Sequence, residues 1–391
     1  MAVMSPGEMT PTVVAPLVDG YPAGSGAAFG VYVHVPFCSR RCDYCAFATW
    51  TDRHHLMADY AGACRAEIDH AVADGMPAAT SVFFGGGTPS LLPAPLLVSI
   101  LDAVPRRVGC EVSVECNPDN VDLNLLSAYR DAGVTRLSFG VQSMVPGVLS
   151  ALGRDHDPAA ARAAVTAAGA AGFADAYSVD LIYGAAGETL ADWRATLASV
   201  VRLDPVPTHV SAYALTVEPG TPLARDRSRY PDGDDQADKY ALADDILGAA
   251  GLGWYEISNW AKPGAACAHN RLYWEQGEYR GIGCAAHSHE LCPSGGSRRW
   301  WNVRTPDRYI RLVGAGASAE AAGEELDADA RRFEALTLGL RTSAGVHVGD
   351  VDPDGLADLI AGGLIHRSED RAVLTLRGRL LANEVVLRLA L

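Results

Sequence analysis

Six short apolar segments, alternating with five stretches of helical spacing, fill the N-terminal half of this chain. They run Val31–Val35, Ser81–Phe84, Cys110–Glu115, Thr135–Phe139, Ala176–Ile182 and Thr208–Tyr213. Between them, Tyr60–Ala73, Pro95–Leu101, Leu123–Ala132, Pro158–Ala171 and Leu190–Leu203 place apolar residues at helical intervals. Gly133 and Gly172 close two of these helices. Such regular alternation predicts an α/β fold with a parallel sheet of right-handed βαβ units. Polar and glycine-rich residues recur just past the strands: the cysteines after Val35, Gly85–Thr88, Glu115, Gln142 and Asp180. In barrel-like α/β folds the C-terminal strand ends carry the site. The expectation is therefore a partial, TIM-like barrel of six β/α units over residues 27–220, with one working mouth.

Composition narrows the function. The chain has 391 residues, 49% of them apolar, enough for one large domain and one or two small ones. A formal charge of -15 argues against nucleic acid as partner. No apolar run approaches the roughly 20 residues of a spanning helix. Residues 1–26 are rich in Pro, Gly and Ala without a basic start, which predicts a mobile tail and no signal peptide. Nine cysteines, three of them clustered, point to a reducing cytoplasm. Cys64, Cys110, Cys116, Cys267, Cys284 and Cys292 then read as structural thiols.

The clustered three are Cys38-Ser-Arg-Arg-Cys42-Asp-Tyr-Cys45, just after Pro36 ends the first strand. Thiolates favour zinc, copper(I) or iron–sulfur clusters. A structural zinc wants four ligands, often as two spaced pairs, and no second pair follows. A four-iron cluster on three cysteines would leave one iron open for a small chelating molecule. Gly85-Gly-Gly-Thr88 could let a ligand approach the backbone, although such runs also make plain turns. Glu115 and Asp180 could accept hydroxyls or an ammonium, or stand as solvated loop acids. Arg154 could pair with a carboxylate, or lie on the surface.

The Cys-x3-Cys-x2-Cys spacing, with Tyr44 before the last cysteine, resembles the radical S-adenosylmethionine (SAM) superfamily. In that family SAM chelates the open iron. Tyr32-Val-His-Val-Pro-Phe-Cys38, Gly85-Gly-Gly-Thr-Pro, Ser113-Val-Glu115, Gly140-Val-Gln142-Ser and Val179-Asp180-Leu-Ile-Tyr-Gly184 resemble the oxygen-independent coproporphyrinogen III dehydrogenase family. The likeness runs from about Tyr32 to the C-terminus. It implies that Cys38, Cys42 and Cys45 hold a [4Fe-4S] cluster. It implies SAM contacts from Tyr32, Tyr44, Gly86, Gly87, Thr88, Glu115, Gln142, Arg154 and Asp180.

Two branches share this scaffold. The dehydrogenases add a fourth cysteine two residues past the third, where this chain has Phe47. That departure is similar to the HemW-type haem chaperones. Ala268-His269-Asn-Arg-Leu-Tyr273-Trp274 resembles their haem-associated motif, and Tyr279-Arg-Gly-Ile-Gly-Cys284-Ala-Ala-His287-Ser follows their pattern. The resemblance implies a cytoplasmic haem carrier serving respiratory haem proteins, with the membrane surface as one place for those acceptors, and leaves a homodimer open. His269, Tyr273 and Trp274 become haem-binding candidates, since imidazole ligates haem iron and aromatic rings pack on porphyrins. Cys267 is an alternative thiolate ligand, and a hydrogen-bonded core histidine is the plain alternative. The competing function is radical decarboxylation of coproporphyrinogen III to protoporphyrinogen IX. A zinc-stabilised binding protein would need neither cluster nor SAM.

Residues 221–325 read as a barrel extension carrying that motif. Within it Asp232–Asp235 reads as a solvated loop and Gln236–Ala250 as a helix. Residues 326–391 read as a small winged-helix-like module. Its expected elements are helices at Ala330–Arg341, Pro353–Gly362 and Arg377–Leu389, with a hairpin from Leu364 and Arg371–Leu376. The acidic balance turns this module away from DNA and toward a lid or docking role.

Overall fold

In the computed structural model the described residues are 27–390, so the tail expected at 1–26 lies outside them. The six predicted strands form: β1 (Phe29–Val35), β2 (Ala79–Gly86), β3 (Arg106–Cys116), β4 (Arg136–Gln142), β5 (Tyr177–Tyr183) and β6 (His209–Ala214). They pair in that order, all parallel. Helices α1 (Met57–Ala73), α2 (Ala94–Ala103), α3 (Leu123–Asp131), α4 (Pro146–Ala151), α5 (Pro158–Ala168) and α6 (Leu190–Val200) make the crossovers. Their starts are encoded locally. Asp122 caps α3, Asp157 caps α5, and Thr189 with Asp192 forms a capping box on α6.

Strand alternation decides which residues face the site. Val31, Val33 and Val35 join the main core beside Ile68 and Leu97, whereas Tyr32 packs inward with Phe83. The sheet curls enough that Gly86 from β2 and Tyr213 from β6 line one cavity.

The extension differs from a simple appendage, because it lengthens the sheet at both edges. Helix α7 (Gly233–Ala249) begins inside the acidic run that reads as a loop. Asp232 caps it through the Asp235 amide, and Asp235 pairs with Lys239. Strands β7 (Gly253–Glu256) and β8 (Asn259–Ala261) then run antiparallel beside β6. Helix α8 (Ala268–Trp274) leads to β9 (Glu278–Ile282), which joins β1 in parallel. Strands β10 (His287–Leu291), β11 (Ser297–Asn302) and β12 (Glu320–Leu326) follow antiparallel, with α9 (Pro306–Gly314) between the last two. The result is a twelve-stranded mixed sheet with a large parallel centre.

The C-terminal module has helices α10 (Ala328–Gly339) and α11 (Pro353–Ala361) and its own apolar core. Strands β13 (Val346–His347), β14 (Ile365–Ser368) and β15 (Arg371–Leu374) make a small antiparallel sheet. The single last helix expected at Arg377–Leu389 is two, α12 (Leu376–Leu380) and α13 (Ala382–Leu389). Leu381, at φ -117°, breaks them where Gly378 packs on the Leu364 carbonyl. Arg379 docks the module on α7, donating to both Asp244 oxygens at 2.8 and 2.6 Å. Among the described residues no helix is long and apolar enough to cross a membrane.

Candidate functional site

The loop after β1 is held open at the C-terminal end of the barrel by a few backbone bonds. Cys38 N–H donates to Trp50 O at 3.1 Å, and Trp50 N–H to Pro36 O at 2.8 Å. Cys38, Cys42 and Cys45 line a cavity of about 290 Å³. Tyr44, Gly86, Gly87, Thr88, Glu115, Gln142, Arg154 and Asp180 line it too, so the structure brings these sequence candidates together. Tyr32 is not in that lining. It lies beneath, almost fully buried, with its hydroxyl 3.1 Å from His34 Nδ1.

Each wall has a local reason. Gly87 passes under the cysteine loop so closely that a Cβ would stand 2.7 Å from Phe37 O, 2.8 Å from Val35 O and 3.1 Å from Cys38 Sγ. Gln142 sits at φ 64°, where a register shift ends β4, an uncommon conformation for a side-chain-bearing residue. Such positions cluster at working sites. Arg154 reaches across the cavity to Cys42 Sγ at 3.4 Å, Asn117 Oδ1 at 2.6 Å and Gly140 O at 3.0 Å. Glu115 accepts from the Gly86 amide at 3.2 Å. Asp180 Oδ2 accepts from Ser138 at 2.7 Å, while its buried Oδ1 has no protein partner.

Burial pushes the Cys38 thiol up and takes Cys45 to about 11, and the nearby Cys42 adds to both. Burial, with the Asp180 carboxylate adding, takes Glu115 to about 7. Bound iron favours the thiolates, and a ligand ammonium would favour the Glu115 carboxylate. Among the described residues no three Cys, His, Asp or Glu converge tightly enough for a single metal ion. A four-iron cube takes each cysteine on a different iron, so its ligands stand further apart.

Sequence reasoning passed over Asn117, Ser138 and Tyr213 as lining groups. Their signal was position: Asn117 follows β3 directly, and Ser138 and Tyr213 face inward from β4 and β6.

The second motif lies elsewhere. Helix α8 crosses the opposite end of the barrel as a floor. Glu111 of β3 accepts from the Ala268 and His269 amides at 2.9 and 3.3 Å. His269 is 0% exposed, with Nδ1 2.9 Å from Ser81 Oγ and Nε2 3.0 Å from the Tyr273 hydroxyl. Burial takes its imidazole down to about 3. Asn270 reaches the other edge, donating to the Tyr255 hydroxyl at 3.0 Å and Glu256 at 3.1 Å. Tyr273 packs edge-on against Tyr279 of β9. The cysteine cavity therefore does not include His269, Tyr273 or Trp274. Both ring nitrogens of His269 are engaged in this conformation. Cys267 is buried beside Glu111.

Comparison with known proteins gives a consistent picture. The Radical SAM superfamily model matches residues 32–200. The chain is 42% identical to the heme chaperone HemW of Mycobacterium tuberculosis (strain H37Rv), over 92% of this chain and 94% of that one. It is 33% identical to heme chaperone HemW of Bacillus subtilis, covering 90% and 97% of the two chains. Among solved structures, the radical SAM enzyme coproporphyrinogen III oxidase (HemN) from Escherichia coli superposes with a TM-score of 0.79. That match covers 93% of this chain and 90% of the other at 23% identity, a likeness of fold.

Proposed function

We infer the function of a chain that belongs to the HemW family of heme chaperones, within the radical SAM superfamily: it binds haem and hands it to haem-accepting respiratory proteins. Its working place is the cytoplasm, with acceptors at the membrane surface, and a homodimer is compatible with that role. The superfamily implies a resident [4Fe-4S] cluster and SAM, and the residues present fit both. Three thiols share one cavity, Gly87 leaves room no Cβ could share, and Asp180 Oδ1 lacks a partner.

Cys38, Cys42 and Cys45 would hold the cluster, which when bound supplies an iron with an open coordination position and a reducing electron. Arg154 is placed to receive the SAM carboxylate while steadying Cys42. Gly86 at the end of β2 and Gly87 just past it admit the ligand to the backbone, beside Tyr44 and Thr88. Glu115 would take the ammonium, and Asp180 and Gln142 the hydroxyls, all three lining the cavity.

The observation that carries the carrier reading over decarboxylation is Phe47. It lines the cavity wall where the dehydrogenases have a fourth cysteine. The packing of His269 and Tyr273 supports their use as the floor that sets the barrel's shape.

The test uses anaerobically reconstituted protein loaded with haem and mixed with an apo-form haem acceptor. Haem should bind and then move to the acceptor. With coproporphyrinogen III, SAM and reductant, neither protoporphyrinogen nor 5′-deoxyadenosine should accumulate. Substrate-dependent formation of both would overturn the reading.

A further inference from the structure

A haem carrier needs an imidazole that is neutral, accessible and not already bonded. Most histidines on the inner face of the sheet fail that condition. His34 meets Tyr32 and Ala48 O, at 3.1 and 2.9 Å. His209 meets Ser178 and Tyr255, at 2.8 and 2.9 Å. His269 is engaged at both nitrogens, and His289, with Nδ1 3.0 Å from Gly277 O and Nε2 unpartnered, is only 4% exposed and so closed to a ligand.

His287 differs. It is half-buried, bonds no protein group among the described residues, and rests on Trp301 across the β10–β11 pair. The ring centroids are 5.5 Å apart with planes at 29°. Burial, with the Arg299 charge adding, takes this imidazole down to about 4, so it is neutral at physiological pH.

Its position is as informative as its chemistry. Strand β9 runs parallel to β1, with Gly281 opposite Tyr32, so the turn after Ile282 emerges at the same end as the cysteine loop. His287 opens β10 directly after that turn. Ala285 N–H donates to Val303 O and Asn302 N–H to Ala286 O, both at 3.0 Å, which sets Arg304 beside the same turn. The Arg304 guanidinium is exposed and reaches Ala46 O, between Cys45 and Phe47, at 3.4 Å. A neutral imidazole, a flat indole and an exposed guanidinium thus gather beside the cluster loop. The imidazole matches an iron, the indole stacked on it holds its plane, and the guanidinium matches a propionate.

We propose that His287 is the axial ligand for haem iron in this chain, with Trp301 backing the ring and Arg304 receiving a haem propionate. This rests on the haem-carrier reading above and names the ligand position within it.

The test titrates ferric haem into the full-length, cluster-loaded chain and follows the Soret band, for wild type, His287→Ala and His287→Cys. His287→Ala should weaken binding at least about tenfold, the equivalent of 1.4 kcal/mol. His287→Cys keeps a ligand atom at the same place and should move the band to that of a thiolate-ligated haem. A wild-type spectrum and affinity in both variants would overturn the assignment and leave the carrier reading standing. Absence of saturable binding by wild type would instead overturn the carrier reading itself.

Discussion

The Arg154 guanidinium donates to the Cys42 sulfur at 3.4 Å, although 112 residues separate them. The same side chain holds Asn117 and the Gly140 carbonyl, so it joins the cysteine loop to the ends of β3 and β4. Arg154→Ala should therefore loosen the loop and remove the partner for a SAM carboxylate. SAM affinity, read by equilibrium dialysis on cluster-loaded protein, should fall at least about tenfold. Stability should drop by about 1–3 kcal/mol, because Asn117 Oδ1 and Gly140 O lose their donor.

Gly87→Ala should empty the cluster site. The new Cβ meets two backbone carbonyls that cannot swing away and the Cys38 sulfur. Iron and sulfide analysis after reconstitution should show a large loss. Gly62→Ala is the matched control: nothing lies within 4 Å of its Cβ on the solvent side of helix α1, so it should gain about 0.5–1 kcal/mol and keep its iron.

Glu115 makes the apo protein's stability fall with pH. Its folded carboxyl is raised by burial to about 7, above its ordinary range, so the folded state binds the proton more tightly than the unfolded chain. The contribution is full below about pH 4 and is lost as pH rises through 7. Thermal melts of apo wild type between pH 5 and 8 should show that decline. Glu115→Gln should make it shallower, since burial also raises Glu334 to about 8, and stabilise the apo protein at pH 8 by about 3 kcal/mol.

His269→Ala should act through the fold. It strands the Ser81 and Tyr273 hydroxyls in the barrel floor and leaves a cavity. The cost should be about 2–4 kcal/mol. Haem affinity per folded molecule should stay within about threefold of wild type. A large loss of haem with an unchanged melting temperature would show His269 to be a ligand.

The parallel centre of this fold was legible because each strand carries its own signal, as in Val31-Tyr-Val-His-Val35. The cysteine site was legible from spacing, and its glycines from their place after β2. The sheet extension was not. Every residue from Glu320 to Glu325 is exposed, so β12 has no apolar alternation to read. Gln142 gives no local warning of its positive φ, which arises from a register shift against β5. His269 looks like a free ligand in sequence because its partner Ser81 lies 188 residues away. The Asp232–Asp235 run reads as loop because its charges are local, yet Lys239 makes two of its neighbours useful: Asp235 by pairing and Glu188 by accepting at the helix's far side.

The most direct test of the central claim is the spectrum of the reduced cluster before and after SAM is added, by electron paramagnetic resonance on anaerobically reconstituted protein. The account predicts a [4Fe-4S] signal that shifts with SAM, because one iron has no cysteine, and that disappears when Cys38, Cys42 and Cys45 are replaced by Ala. A chain that holds no such cluster, or a signal indifferent to SAM, would contradict it.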